Sequence, residues 1–156
     1  KDFIHDPYQV YEARVYGADS LLLIVAILDR ERLEELLGLS HNLNMKCLVE
    51  VHSEAELQIA LESGAGIIGI NNRDLTTFET DIKRSLNMKP GLSPKQIPVV
   101  ASGIHSQEDI EHYHQAGLNN FLIGESLVSA KNPGDRLKSY IHVRRSAKDL
   151  RMDHVG

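Results

Sequence analysis

Apolar runs of strand length alternate with amphipathic segments of helix length along most of the chain. The runs are rich in Val and Ile and too continuous to leave one face in water, which is typical of parallel strands buried on both faces. They predict strands at residues 21–27, 46–52, 66–71, 97–102 and 120–125. This repetition of strand and helix predicts a parallel α/β fold, either an open sheet or a closed barrel.

The segments between these runs begin with residues that are typical of helix starts. Asp6 precedes a proline, and Ser53 with Glu56 has the spacing of a capping box. Two later helices are predicted to begin after Ser106 and Asn132. We therefore expect one partial barrel domain over residues 1–142, followed by a polar tail over residues 143–156 that is a helix end and a frayed terminus.

Composition excludes several classes of protein. The chain has 156 residues, of which 42% are apolar, and this is enough for one domain with a core. Its net charge of -5 and the absence of a basic run argue against a nucleic acid partner. The longest apolar run, residues 20–28, is about half of what a membrane span needs. The single cysteine, Cys47, and the lack of a recognisable signal peptide predict a cytoplasmic protein with no membrane partner.

Ligands of parallel α/β proteins bind at the carboxyl ends of the strands, so the residues at those ends are the candidates for a site. Glu50 lies within an apolar strand, where an unpaired carboxylate costs free energy. A carboxyl group in such a place suits proton transfer. The alternative is a structural carboxylate that forms a salt bridge with Lys or Arg. His52, two residues further on, is expected to pack at the start of the next helix.

Asn71 and Arg73 follow the third predicted strand and are two residues apart, so both side chains can lean to the same side. An amide can orient a hydroxyl or carbonyl group, and a guanidinium can hold a carboxylate or a phosphate. The alternative is a simple turn in which Arg73 pairs with Asp74.

Two loops rich in Gly and Ser follow the last two predicted strands, at residues 101–104 and 122–126. Backbone N–H groups in such loops and at helix starts bind phosphate, and barrel enzymes commonly bind phosphate after their last two strands. Two ordinary strand-to-helix turns are the alternative.

Taken together, the segments KDFIHDPYQVYEAR, LVEVH, GINNRDL, TFETD, SGI and LIGESL resemble indole-3-glycerol-phosphate synthase in order and spacing, up to about Leu137. The resemblance implies a (βα)8 TIM barrel. It also implies a carboxy-lyase of tryptophan biosynthesis that closes a ring in 1-(2-carboxyphenylamino)-1-deoxyribulose 5-phosphate, with decarboxylation and dehydration. It implies a phosphorylated small-molecule substrate and no metal or organic cofactor.

The resemblance also assigns roles to single residues. Lys1 matches a general-acid lysine, Phe3 a hydrophobic wall near the substrate, and Glu50 the general base of the dehydration. Asn71 and Arg73 match groups that hold the substrate and the catalytic residues. The residues that match the substrate and phosphate loops are Ser102, Gly103, Gly124, Glu125 and Ser126.

Two departures from the family pattern are visible. The family usually has a glutamate before the Ser-Gly of its seventh strand, where this chain has Ala101. The chain opens with Lys1 rather than Met and lacks the family's first strands, so we expect a partial barrel with residues missing upstream. Open sheet edges predict self-association or pairing with the missing N-terminal segment.

Two other functions are compatible with the sequence. One is a non-catalytic truncated or engineered barrel fragment that self-associates. The other is a different phosphate-binding barrel enzyme, such as a phosphosugar isomerase or epimerase. That chemistry needs a Cys/Asp pair or metal-binding His and Asp residues at strand ends, where His52 is the one clear histidine.

Overall fold

The computed structural model describes residues 2–74 and 77–141. Its sheet has five strands, all parallel and arranged in chain order, which confirms the predicted parallel α/β fold. The strands are β1 (Ser20–Ile24), β2 (Lys46–Val51), β3 (Ile67–Asn71), β4 (Ile97–Ala101) and β5 (Phe121–Leu122).

Helices connect the strands. In the described part of the chain they are α1 (Pro7–Val15), α2 (Arg30–Asn42), α3 (Glu54–Glu62), α4 (Lys83–Met88), α5 (Gln107–Gln115), α6 (Glu125–Val128) and α7 (Pro133–Ile141). Two short 3-10 helices cover Val25–Ile27 and Lys89–Gly91. None of the described helices is long and apolar enough to cross a bilayer.

The two faces of the sheet differ in burial. Residues that are paired across parallel strands point to the same face, and alternate residues point to opposite faces. On the helix-covered face the most buried side chains are at most 4% exposed; they are Leu21, Leu23, Val49, Val51, Ile68, Ile70 and Val100. On the opposite face, called the inner face below, Ile97 and Leu122 are about half exposed. The expectation that both faces are buried holds on the inner face for Ile24 and Ala101, which are 4% and 5% exposed, but not for Ile97 and Leu122.

Caps position the helices at the carboxyl edge of the sheet. The Asp6 carboxylate accepts from the backbone of Tyr8 at 2.8 Å and completes the predicted cap of α1. The Ser53 hydroxyl accepts from the backbone of Glu56, as predicted. The other half of that capping box is wrong, because the Glu56 carboxylate accepts from the backbone of His52 instead.

Strand boundaries also depart from the sequence prediction. Residues 25–27, expected as strand, form a turn of 3-10 helix. The fifth strand is reduced to the two residues Phe121–Leu122, which pair with Val100 and Ala101. The predicted tail at 143–156 lies outside the described residues.

Candidate functional site

The centre of the candidate site is a pair of side chains at the carboxyl ends of two neighbouring strands. Glu50 on β2 and Asn71 on β3 both lie on the inner face and are 8% exposed. The Asn71 amide Nδ2 donates to Glu50 Oε1 at 3.1 Å. The strand partner of Glu50 is Gly69, which has no side chain to crowd the carboxylate. The carboxylate is therefore buried but open to the space above the inner face.

His52 contributes to the same site, although packing at a helix start was expected for it. Its ring lies between Glu50 and Glu56, with 3.2 Å from Nε2 to Glu50 Oε1 and 3.2 Å from Nδ1 to Glu56 Oε2. Burial lowers the pKa of His52, but the bonds and charges of the two carboxylates outweigh burial and raise that pKa to about 9. The alternative salt bridge of Glu50 with Lys or Arg is not observed among the described residues; the basic side chain beside Glu50 is this histidine.

Arg73 leans over the same edge of the sheet. Its backbone N–H donates to Asn71 Oδ1 at 3.0 Å, and its guanidinium forms an ion pair with Glu125. This guanidinium holds the pKa of the Glu125 carboxyl below its usual value. Asp74 lies 3.7 Å from the Arg84 guanidinium. The turn in which Arg73 pairs with Asp74 is therefore not the arrangement observed.

Asn72 ties the loop after β3 to its neighbours and was not recognised from the sequence. This residue is fully buried, and its Nδ2 donates to the carbonyl of Ser102 at 3.0 Å and to the hydroxyl of Tyr113 at 2.9 Å. Its Oδ1 accepts from the backbone and hydroxyl of Ser85 at 3.2 and 2.8 Å. Burial raises the pKa of Tyr113 to about 12, so its hydroxyl keeps the proton that it donates to Ile82. Both halves of the amide are thus satisfied.

The first predicted phosphate loop has an unusual backbone. Ser102 and Gly103 have φ of 62° and 73°, in the left-handed region that side chains disfavour. A Cβ on Gly103 would lie 2.5 Å from the Thr80 methyl group, so only glycine fits there. The loop is therefore held in one shape by Asn72 on one side and by Thr80 on the other.

The second predicted phosphate loop follows β5. Gly124 precedes the short helix α6, and the Ser126 hydroxyl accepts from Tyr140 at 3.1 Å. The Glu125 carboxylate faces Arg73, so what Glu125 can offer an anion is its main-chain N–H. Because β4 and β5 are paired, the two loops start from adjacent strand ends.

The remaining candidates are placed less tightly. Phe3 is 61% exposed, and its carbonyl accepts from Gln9 at 3.1 Å. Lys1 lies outside the described residues. Ala101 is buried on the inner face and is the strand partner of Asn71, so a longer side chain there would point to the same space as Glu50. Among residues 2–74 and 77–141 no group of three His, Cys, Asp or Glu side chains has the geometry of a metal site.

Fold and site together define a class. Sheet and helices match solved structures such as 3-hexulose-6-phosphate synthase from Salmonella typhimurium, with a TM-score of 0.72 and 16% identity over 90% of this chain and 69% of that one. A mandelate oxidase also matches, with a TM-score of 0.72 and 16% identity; the match covers 95% of this chain and 56% of the oxidase. The chain is therefore part of a (βα)8 barrel, with polar groups at the carboxyl ends of its strands.

Sequence comparison identifies the family. The indole-3-glycerol phosphate synthase family model matches residues 1–140. Enzymes named indole-3-glycerol phosphate synthase from Dehalococcoides mccartyi and Desulfosudis oleivorans are 52% and 50% identical over 141 residues, which is 90% of this chain and 54% of theirs. The chain belongs to this family, which confirms the resemblance seen in the sequence. It spans about half the length of these relatives.

Proposed function

We propose that this chain carries the carboxyl-terminal part of an indole-3-glycerol phosphate synthase active site. The proposed reaction is ring closure of 1-(2-carboxyphenylamino)-1-deoxyribulose 5-phosphate with loss of carbon dioxide and water. Family membership supports the reaction. The observation that carries the proposal is the bond between Asn71 Nδ2 and Glu50 Oε1 at the mouth of the inner face, beside Arg73. The proposed compartment is the cytoplasm.

Proton transfer is the task proposed for Glu50. Ring closure needs a proton donor at the carbonyl oxygen of the substrate, and the later loss of water needs a base. Glu50 is a buried carboxylate that keeps one side toward the space above the sheet, which suits the base. Lys1 is proposed as the acid on the resemblance alone. Asn71 holds the carboxylate of Glu50 in place and orients the substrate.

Anion binding is the task proposed for the surrounding loops. The guanidinium of Arg73 suits the substrate carboxylate, and Ser102 lies at the adjoining strand end. Phosphate is proposed to bind the main-chain N–H groups of Gly103 and of the loop Gly124–Ser126. Phe3 is proposed to cover the aromatic ring of the substrate.

Turnover tests this proposal directly. The substrate is supplied, and indole fluorescence of the product is followed for the wild type, Glu50→Gln and a control, Glu54→Gln. Glu54 is exposed at the first position of α3 and carries the same charge. We expect a signal that Glu50→Gln abolishes and the control retains. A signal that persists in Glu50→Gln would contradict the role of Glu50.

A folded wild type with no signal would have a defined next step. The segment of the Dehalococcoides mccartyi relative that this chain does not cover is added as a separate polypeptide. Turnover on addition would support pairing with an N-terminal segment. Continued absence of turnover, also in Ala101→Glu, would refute the proposed activity of this chain.

A non-catalytic chain that associates with itself is the second candidate function. The half-exposed apolar side chains Ile97 and Leu122 on the inner face favour it, because apolar faces of this kind are usually covered. Sedimentation velocity over a range of concentrations tests this alternative. Dimers together with no turnover would support it, and an active monomer would exclude it.

A further inference from the structure

Three titratable side chains form a line from the inner face to the start of α3. Glu50 lies at the end of β2, His52 follows the strand, and Glu56 lies in the first turn of the helix. The side chains of Glu50 and His52 are each 10% exposed, and that of Glu56 is 22% exposed. The line therefore runs through a region that water enters poorly, where charge interactions are strong.

The start of α3 explains how the line is built. Ser53 caps the helix, which places Glu56 at its third position. From there the Glu56 carboxylate accepts the backbone N–H of His52 at 2.8 Å and contacts the ring Nδ1 at 3.2 Å through the same oxygen. The start of α3, rather than strand β2, therefore fixes the orientation of the His52 ring.

The ring has a carboxylate at each of its two nitrogens. A neutral imidazole has one N–H and could donate to one carboxylate only, so contact at both nitrogens favours the charged form. His52 also stabilises the Glu56 carboxylate. Burial raises the pKa of Glu56, but the bonds from the His52 ring and backbone outweigh burial and bring that pKa below its usual value. In the described part of the chain, Glu50 and Glu56 are the charged groups that the ring faces.

The contact with Glu50 is unlike the contact with Glu56. Nε2 of His52 is 3.2 Å from Glu50 Oε1, an ion-pair distance, yet its N–H is not directed along that line and has no hydrogen-bond partner in the described chain. The amide of Asn71 approaches the same oxygen, Oε1. The Asn71 donor and the His52 ring nitrogen therefore both lie at one oxygen of Glu50, and no hydrogen bond within the described chain involves the other oxygen, Oε2.

We propose that His52 is a positioning residue for Glu50. Held as a cation by Glu56, its ring lies together with the Asn71 amide at Oε1 of Glu50, so that Oε2 meets the reacting proton. The catalytic consequence rests on the proposed function of Glu50. A histidine that merely packs at a helix start would be neutral near pH 7.5 and indifferent to both carboxylates.

The test is an NMR titration of the His52 ring in the intact chain, which needs no substrate. We expect the wild type to titrate near pH 9, and both Glu56→Gln and Glu50→Gln to lower the protonation constant of the ring about tenfold or more. Glu54→Gln is the matched control, since it removes a charge from the same helix turn. We expect it to leave the titration unchanged.

Two results would overturn the proposal. One is a wild-type ring that titrates near its ordinary pKa of about 6.5. The other is a ring whose titration is the same in Glu50→Gln as in the wild type. His52→Gln is not needed for this test, so failure of that variant to fold has no bearing on it.

Kinetics add a readout that a purely structural role would not move. Where turnover is observed, the alkaline limb of the kcat–pH profile should shift to lower pH in Glu56→Gln by the same amount as the ring titration, with KM unchanged. If Glu56→Gln shifts the ring titration but leaves the alkaline limb of the kcat–pH profile in place, the proposed role of His52 is overturned. Absence of turnover in the wild type with the N-terminal segment added, and also in Ala101→Glu, would refute the proposed function, whereas the titration would still decide whether His52 and Glu50 are coupled.

Discussion

Removal of the Asn72 side chain should destabilise the protein more than any other single polar truncation at the site edge. The amide is fully buried and makes four side-chain hydrogen bonds, to the carbonyl of Ser102, the hydroxyl of Tyr113, and the backbone and hydroxyl of Ser85. Ser85 lies in the first turn of α4, whose own N-cap residue, Ile82, provides no side-chain bond. Asn72 therefore caps this helix from the adjacent strand end.

The magnitude follows from the groups left behind. Asn72→Ala leaves the N–H and hydroxyl of Ser85 and the carbonyl of Ser102 without this partner, while Tyr113 keeps its bond to Ile82. A buried polar group that loses its partner costs about 1–3 kcal/mol, and water that enters the vacated space recovers part of this. We expect a loss of about 4 kcal/mol in the free energy of unfolding, which is a large share of the stability of a domain this size.

Urea unfolding followed by far-UV circular dichroism measures this loss. With a slope of about 2 kcal/mol/M, the midpoint should fall by about 2 M. The matched control is Asn87→Ala, which truncates an exposed asparagine in the same helix. We expect the control to stay within about 0.5 kcal/mol of the wild type. An Asn72→Ala midpoint equal to that of the control would refute the reasoning.

Three further predictions concern the site. The pKa of His52 is raised to about 9 in the folded chain from about 6.5 when unfolded. The contribution of His52 to the free energy of unfolding is therefore complete below pH 6.5 and is lost as the pH rises through 9. Urea midpoints at pH 6, 8 and 9.5 check this, and an unchanged midpoint contradicts it. Gly103→Ala should destabilise by about 1–3 kcal/mol because of its positive φ and the close methyl group, whereas Gly124→Ala, which has open space, should be nearly neutral; thermal unfolding compares the two. Glu125→Gln should raise the affinity for 2-aminobenzoate several-fold by releasing Arg73, with a smaller gain at high salt; calorimetry that finds equal affinities would show that the ion pair does not compete with anions.

Local patterns were sufficient for the scaffold and for part of the site. The order of strands and helices and the caps at Asp6 and Ser106 depend on neighbours in sequence, and the structure has them as predicted. The prediction of Glu50 and Asn71 as site residues rests on their places near the carboxyl ends of apolar strands, and the parallel register brings them together.

The remainder of the site depends on contacts between distant segments. Asn72 bonds to residues 13, 30 and 41 positions away, which no local pattern reports. The role of His52 depends on Glu56 giving up its expected bond to the backbone of Ser53. The length of β5 was overestimated because an apolar run does not reveal where its pairing with β4 stops. The roles of the other candidates stay predictions.

Alternate positions along each strand of the sheet face either the helices or the inner side. In β3 the even-numbered Ile68 and Ile70 face the helices and are fully buried, whereas the odd-numbered Gly69 and Asn71 face the inner side with Glu50. Neighbouring positions in the sequence of a strand therefore serve different ends: even-numbered residues of β3 build the core, and odd-numbered ones line the candidate site. A side chain added at Gly69 would meet Leu48 at 3.2 Å, so the width of the inner face beside Glu50 depends on this glycine.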